Sequence, residues 1–263
     1  MSSMRNPQRG MLCAGCPHRA AYIAIKDATR RVRGRVVCGN IGCVAVGAVQ
    51  PAAATCPGGE ETLLPRYRQE VPCDGTPDAP AVPLCVHVAP DTEIAADDAA
   101  ERFAGLAAEG ATTILAVMAS SKAYLSREAI EGLGQRMLEL GVDSVAVLDP
   151  FDLERCGEVL SALIAEPGIH GVLFASPCAQ LLRAAEPEPV EVDRFMCVGC
   201  QRCVQVTGCP ALSFVPPVCT VDADACAGCD LCCGVCRSQI IYSPRARMSV
   251  AERANARYAA TRG

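Results

Sequence analysis

The chain contains no tryptophan and only five phenylalanines, five tyrosines and three histidines among its 263 residues. Platforms on which nucleic-acid bases stack are therefore scarce. The 24 basic and 29 acidic residues leave a net charge of −5, which argues against a polyanionic partner. Long apolar runs are missing too. The longest uncharged stretch, 36–59, is broken by Gly39, Gly42, Gly47, Pro51, Pro57 and Gly58, so it does not read as a membrane span. Met1 to Pro7 lacks the basic-then-apolar pattern of a secretory signal, and a cytoplasmic location is expected. No P-loop, dinucleotide fingerprint, Ser-His-Asp order or paired-acid constellation stands out. No catalytic residue is assigned.

What the chain does have is cysteine, 19 in all. Such density means disulfides, zinc or iron–sulfur clusters. In a reducing compartment thiols stay free for metal. Hydrophobic residues at 51% and charged residues at 20% supply a packed core and exclude general disorder. The length fits one or two domains.

The middle of the chain alternates strand and helix patterns. Strands are expected at Val82–Val88, Thr112–Met118, Val142–Leu148 and Gly171–Ala175. Helices are expected over Ala95–Glu109, from a Ser126 cap to Leu140 with Gly141 as the stop, and over Asp152–Glu166. This alternation predicts an α/β fold with a parallel sheet, whose ligands sit beyond the carboxyl ends of the strands. Met118–Ser121 and Ser176–Cys178 are two such ends. Ala184–Pro189, with two prolines and two glutamates, reads as a linker. The expected parts are an α/β domain at 1–186, a cysteine-rich α+β domain at 187–244 and a basic helical tail at 245–263. Ser249 and Glu252 have capping-box spacing in that tail, which reads as a solvated helix.

The strongest motif is C-terminal. Cys197, Cys200 and Cys203 form C-x2-C-x2-C and are followed by Cys209-Pro210. Cys226, Cys229 and Cys232 repeat the motif and are followed by Cys236. This is the pattern of two-cluster bacterial ferredoxins, in which the distal cysteine of each half serves the other cluster. One [4Fe–4S] cluster is thus expected on Cys197, Cys200, Cys203 and Cys236, and a second on Cys226, Cys229, Cys232 and Cys209. Five residues rather than three precede Cys209, and Arg237 stands where proline is usual. Cys233 competes with Cys232, and Cys219 is unassigned. A pair of zinc sites is the alternative for the same eight cysteines.

At the other end, Cys13-Ala-Gly-Cys16 precedes a helical stretch, and a strand at 36–38 runs into the turn Gly39-Asn-Ile-Gly-Cys43. These motifs, with Pro17-His18-Arg19, Asp149-Pro150, Pro177-Cys178 and the terminal ferredoxin pattern, occur in one order. In that order the chain resembles the C-terminal half of indolepyruvate:ferredoxin oxidoreductase α subunits, of the 2-oxoacid:ferredoxin oxidoreductase superfamily. The resemblance covers roughly residues 10–242 and is thin between about 51 and 140. It implies a thiamine-diphosphate-binding type of α/β domain and a third [4Fe–4S] cluster on Cys13, Cys16, Cys43 and Cys178; free or structural thiols are the alternative.

The chain departs from the family where thiamine diphosphate would be held. The family turn has aspartate where Asn40 stands and tyrosine where Val44 stands. Its Gly-Asp metal motif is absent after Leu84–Pro90, with Asp91 displaced behind a proline. Ser120 or Ser121 replaces an asparagine, and Lys122 follows. A hard divalent cation needs oxygen ligands. Thiamine diphosphate and magnesium are therefore not expected. The expected function is an iron–sulfur electron-transfer subunit of an oxidoreductase, working with a catalytic or redox partner subunit and with ferredoxin as a candidate electron partner. The alternative is an active thiamine-dependent 2-oxoacid oxidoreductase that forms an acyl-CoA. His87, Cys38 and Cys156 read as core, and Cys56, Cys73 and Cys85 as an irregular thiol group. His18 reads either as orienting a ligand or as locally hydrogen-bonded.

Overall fold

The computed structural model describes residues 12–32, 36–39, 43–44, 84–103, 112–182 and 188–261. Asn40, Cys56, Cys73, most of the linker and the far end of the helix expected to reach Glu109 lie outside them, as does the Cys38 side chain.

Five strands form one parallel sheet: β1 (Val36–Gly39), β2 (Cys85–Pro90), β3 (Thr112–Ala119), β4 (Ser144–Leu148) and β5 (Gly168–Ala175). Their spatial order is β1-β2-β3-β5-β4. The chain passes from β3 to the edge strand β4 and returns to insert β5 between them. Central parallel strands are covered on both faces and so read as continuous apolar runs. β3 behaves this way: Ile114, Ala116 and Met118 face one core, and Leu115, Val117 and Ala119 the other.

The first core is closed by α1 (Pro17–Thr29) and α5 (Leu153–Ile164), the second by α2 (Asp91–Ile94), α3 (Ala99–Phe103) and α4 (Arg127–Glu139). Local chemistry sets the helix ends. The Ser126 hydroxyl accepts from the Ala129 amide at 3.2 Å, and the Asp152 carboxylate accepts from the Arg155 amide at 3.1 Å, each capping a helix start. Gly141 ends α4 at φ +90°, a conformation that costs a residue with a Cβ.

Boundaries shift from the sequence reading. β2 begins at Cys85 and runs through Pro90, β3 extends to Ala119, and β4 begins at Ser144. β5 begins three residues early, because Gly168-Ile169-His170 pair with Thr112–Ile114 despite weak strand propensity. Helical structure starts at Asp91 rather than Ala95 and is split into α2 and α3. Cys85 is part of the second core and Cys156 of the first. His87 is buried edge-on to Phe103 and 3.9 Å from Glu93.

The cysteine-rich segment builds a third core from two similar halves. The first runs β6 (Glu191–Val192), α6 (Arg202–Thr207), β7 (Leu212–Val215); the second runs β8 (Val218–Val221), α7 (Leu231–Val235), β9 (Ile241–Tyr242). β6 pairs antiparallel with β9, and β7 with β8, so each half closes on the other.

The tail forms α8 (Val250–Ala259), started by a complete Ser249–Glu252 capping box. It is more than a solvated helix. Arg257 pairs with Asp149 beyond β4 and lies 4.4 Å over the Phe151 ring. Arg253 reaches Asp230 at 3.5 Å, so α8 ties the sheet to the cysteine-rich segment. No described helix is long and apolar enough to cross a membrane.

Candidate functional site

The two halves of the cysteine-rich segment are built on one plan. In each, an aspartate precedes the first cysteine of the motif by four residues. Asp193 Oδ1 accepts from the amides of Phe195 and Met196, and Asp222 Oδ1 from those of Asp224 and Ala225. The Asp193 carbonyl accepts from the Cys197 amide at 3.0 Å, and the Asp222 carbonyl from the Cys226 amide at 3.0 Å. Gly199 and Gln201 take left-handed backbone in one loop, as do Gly228 and Asp230 in the other. The same turn thus opens each C-x2-C-x2-C motif. The repeated Asp-x3-Cys spacing carries the signal in sequence and was not read from it.

The thiols then sort into groups. Cys209, Cys226, Cys229 and Cys232 line one small cavity together with Leu212 and Leu231. This brings the distal cysteine of the first half to the motif of the second. Burial pushes the Cys229 thiol up to about 12, and Cys209 and Cys226 add to it as like charges. Cys232 is pushed up by its hydrogen bond to Cys233, which is pushed down in turn. On the other side, Cys203 is raised by burial and then by Cys236 and Cys200. Buried Cys219, without a role in the sequence reading, is raised to about 12 by burial and by contact with Cys203 and Cys197.

A third group forms at the carboxyl end of the sheet. Cys16 is the N-cap of α1. Its thiol is raised to about 12 by burial, with Cys13 and Cys43 as charged neighbours and the amides of Arg19 and His18 opposing. Cys43 is raised by desolvation and then by Cys178 and Cys13. Cys178 is raised by burial, with Cys13 and Asp91 adding to it. Gln180 donates to the Cys13 sulfur at 3.1 Å. The four residues are thus neighbours, although the first and last stand 165 positions apart in the chain.

Ser120, at the end of β3, holds this region together. Its hydroxyl meets His18 Nε2 at 2.9 Å, its amide donates to Asp91 Oδ2 at 3.0 Å, and its carbonyl accepts from the Cys178 amide at 2.9 Å. The Ser121 amide donates to the same Asp91 oxygen at 2.8 Å. Burial pushes the His18 imidazole down to about 4, against the pull of Asp91. His18 is therefore neutral at pH 7, and its partner lies 102 residues away rather than next to it in sequence. Asp91 stands directly after β2, beside the end of β3; Lys122 is exposed.

The two cysteine regions touch. Ala14 belongs to the third core, and a Cβ placed on Gly15 would come within 2.6 Å of the Ala227 Cβ and 3.9 Å of the Cys229 Cβ. Cys13-Ala-Gly-Cys16 therefore packs loop to loop on the identical tetrapeptide Cys226-Ala-Gly-Cys229. Gly15 has φ +72°, so both its backbone and the space call for glycine.

The donor set fits iron–sulfur clusters. Thiolates on tight loops, apolar walls and a buried centre are what such clusters use. A buried thiol held near 12 gives up its proton only to a cation that takes its place. Among the described residues no three His, Cys, Asp or Glu side chains converge as closely as a single metal ion requires. At the end of the sheet, Asp91 Oδ2 accepts from two amides and the Ser120 hydroxyl meets His18 Nε2, while His18 Nδ1 is buried without a partner.

No family model matches the chain. Among curated proteins it is similar to indolepyruvate oxidoreductase subunit IorA of Archaeoglobus fulgidus, at 23% identity over 254 residues, 89% of this chain and 40% of that protein. The subunit IorA of Methanothermobacter thermautotrophicus is 23% identical over 246 residues, 86% of this chain and 38% of that protein. That of Pyrococcus abyssi is 33% identical over 123 residues, 41% of this chain and 19% of that protein. The chain thus spans two fifths or less of the length of these relatives.

Proposed function

We propose that this chain, a relative of the indolepyruvate oxidoreductase IorA subunits over most of its length, is an iron–sulfur electron-transfer subunit of an oxidoreductase. In this reading an α/β part at 1–186 carries a [4Fe–4S] cluster on Cys13, Cys16, Cys43 and Cys178. A ferredoxin-like part at 187–244 carries an inner cluster on Cys209, Cys226, Cys229 and Cys232, and an outer one on Cys197, Cys200, Cys203 and Cys236. The tail at 245–263 fastens the two parts together. When bound, such clusters accept and release single electrons.

One observation carries the proposal: the contact of Gly15 with Ala227 and Cys229. Two thiol groups that served only folding would not have to meet. Here the loops that present them abut with no intervening layer, as a relay requires. The remaining features act on the relay from outside. Asp193 and Asp222 set the loop shapes, Gln180 donates toward a ligand sulfur, and Ser120 fixes the Cys178 amide.

Thiamine diphosphate has no part in this reading, because the family's Gly-Asp motif is absent before Asp91 and Ser120 or Ser121 stands in place of its asparagine. The substrate chemistry then belongs to a partner subunit, with ferredoxin or a similar carrier as the other electron partner. The test is anaerobic purification with iron, sulfide and thiamine measured on one sample. Iron and sulfide equal to three cubanes, dithionite-bleachable and free of thiamine, is the expected result. Stoichiometric thiamine would favour the thiamine-dependent 2-oxoacid oxidoreductase instead. Colourless, iron-free protein would remove both.

A further inference from the structure

Arg19 is 4% exposed, and among the described residues no carboxylate pairs with it. A buried guanidinium without a counter-charge is costly, because the interior solvates the ion less well than water does. Its hydrogen bonds do not remove that cost, since all go to neutral carbonyls. Nη1 donates to the Thr207 carbonyl, and Nη2 donates to the Leu12 and Cys13 carbonyls. Nε is buried and has no acceptor. The side chain lines the same cavity as Cys209, Cys226, Cys229 and Cys232.

The other cations of this region are committed elsewhere. Arg245 donates to Asp230 at 2.8 Å, and Arg253 lies 3.5 Å from the same carboxylate. Arg19 is the described cation that faces the inner thiols without a carboxylate of its own.

Resting on the electron-transfer reading above, we propose that Arg19 is a positioning residue that sets the reduction potential of the inner cluster, with the cluster and its four thiolates as its missing counter-ion. A reduced cluster is one unit more negative than an oxidised one, the electron coming from a reduced partner. A fixed buried cation stabilises the reduced form and raises the potential. The fork also ties Cys13 to Thr207, so the charge sits at the junction between the sheet-end thiols and the inner thiols. This raises the inner site as an electron acceptor relative to its neighbour at the end of the sheet.

The experiment is an anaerobic redox titration followed by electron paramagnetic resonance on the full chain, with iron counted in every sample. Arg19→Gln keeps a donor for a carbonyl and removes the charge. The inner signal should move to lower potential, with the outer signal, identified by its loss in Cys200→Ala, unmoved. Arg19→Lys keeps the charge and should titrate close to the unmodified protein. An unshifted inner signal in a fully loaded Arg19→Gln protein overturns the assignment, as does a Lys variant that shifts as far as the Gln variant. If Arg19→Gln does not load iron, an anaerobic crystal structure of the unmodified protein decides. Arg19 Nε donating to a sulfur of the inner site supports the proposal, and Nε with no sulfur in reach overturns it. An iron count lacking the inner cubane in the unmodified protein would instead bring down the electron-transfer reading and Arg19 with it.

Discussion

Gly15 and Ala227, 212 positions apart, are separated by no more than the space of one absent methyl group: a Cβ on Gly15 would lie 2.6 Å from that of Ala227. This contact is where the sheet-bearing part meets the cysteine-rich part. Gly15→Ala adds a methyl group at φ +72°, at a backbone cost of roughly 1–2 kcal/mol. Overpacking adds about 1–3 kcal/mol more. The expected outcome is a lower melting temperature, together with weaker magnetic coupling between the sheet-end and inner sites. An unchanged melting temperature and coupling would show that the loops do not bear on each other.

The cysteines divide into ligands and packing residues in a way that iron analysis can read. Cys178→Ala should cost one cubane of iron, and Cys200→Ala another, with the α/β circular dichroism retained in both. Cys156→Ala should cost none. Cys156 is fully buried in the sheet core and donates to the Asp149 carbonyl at 3.3 Å. Equal iron in all three variants would refute the assignment.

Asp91 clamps the end of β3 through two amides on one oxygen. Asp91→Ala leaves the Ser121 amide without its acceptor and the Ser120 amide with only the Met118 carbonyl, at a cost of about 1–3 kcal/mol. Asp91→Asn keeps an acceptor and should lose less than half as much. Urea unfolding of the two variants checks the order, and equal losses would show that charge, not the hydrogen bonds, matters there.

Asp149 gives a pH signature. Burial pushes its carboxyl above the ordinary value and Arg257 pulls it back without cancelling the rise. The folded chain therefore binds this proton more tightly than the unfolded chain. The stabilisation it brings is fully present below the unfolded value of about 3.8 and is lost as pH rises through the raised value. The stability difference between the unmodified protein and Asp149→Asn should grow as pH falls across that window. A difference that shrinks on acidification would reverse the sign. At neutral pH Arg257→Ala strands a mostly buried carboxylate, and a loss of about 3 kcal/mol is expected in thermal unfolding.

Much of the sheet was legible because its signals are local. The Ser126 cap, the Gly141 stop and the apolar run of β3 each act over a few residues, and the structure follows them. β5 began earlier than read because Gly168–His170 acquire their strand geometry from β3, not from their own propensity. The link between Arg257 and Asp149 spans 108 residues and the one between His18 and Ser120 spans 102, so neither leaves a trace in spacing. Arg19 was visible only as part of a motif, since its isolation from carboxylates exists only in three dimensions. Asp193 and Asp222 were within reach, because both stand four residues before a first cysteine.

Exposure of the thiols is graded. Cys43 and Cys200 are open to solvent, Cys197, Cys209, Cys229 and Cys236 are half-buried, and Cys16, Cys203, Cys226 and Cys232 are buried. In the three-cluster reading, dissolved dioxygen would reach the outer site through Cys200 and the sheet-end site through Cys43 before the inner one, which has no exposed ligand. A briefly aerated sample would then corrode from both ends and keep its middle longest.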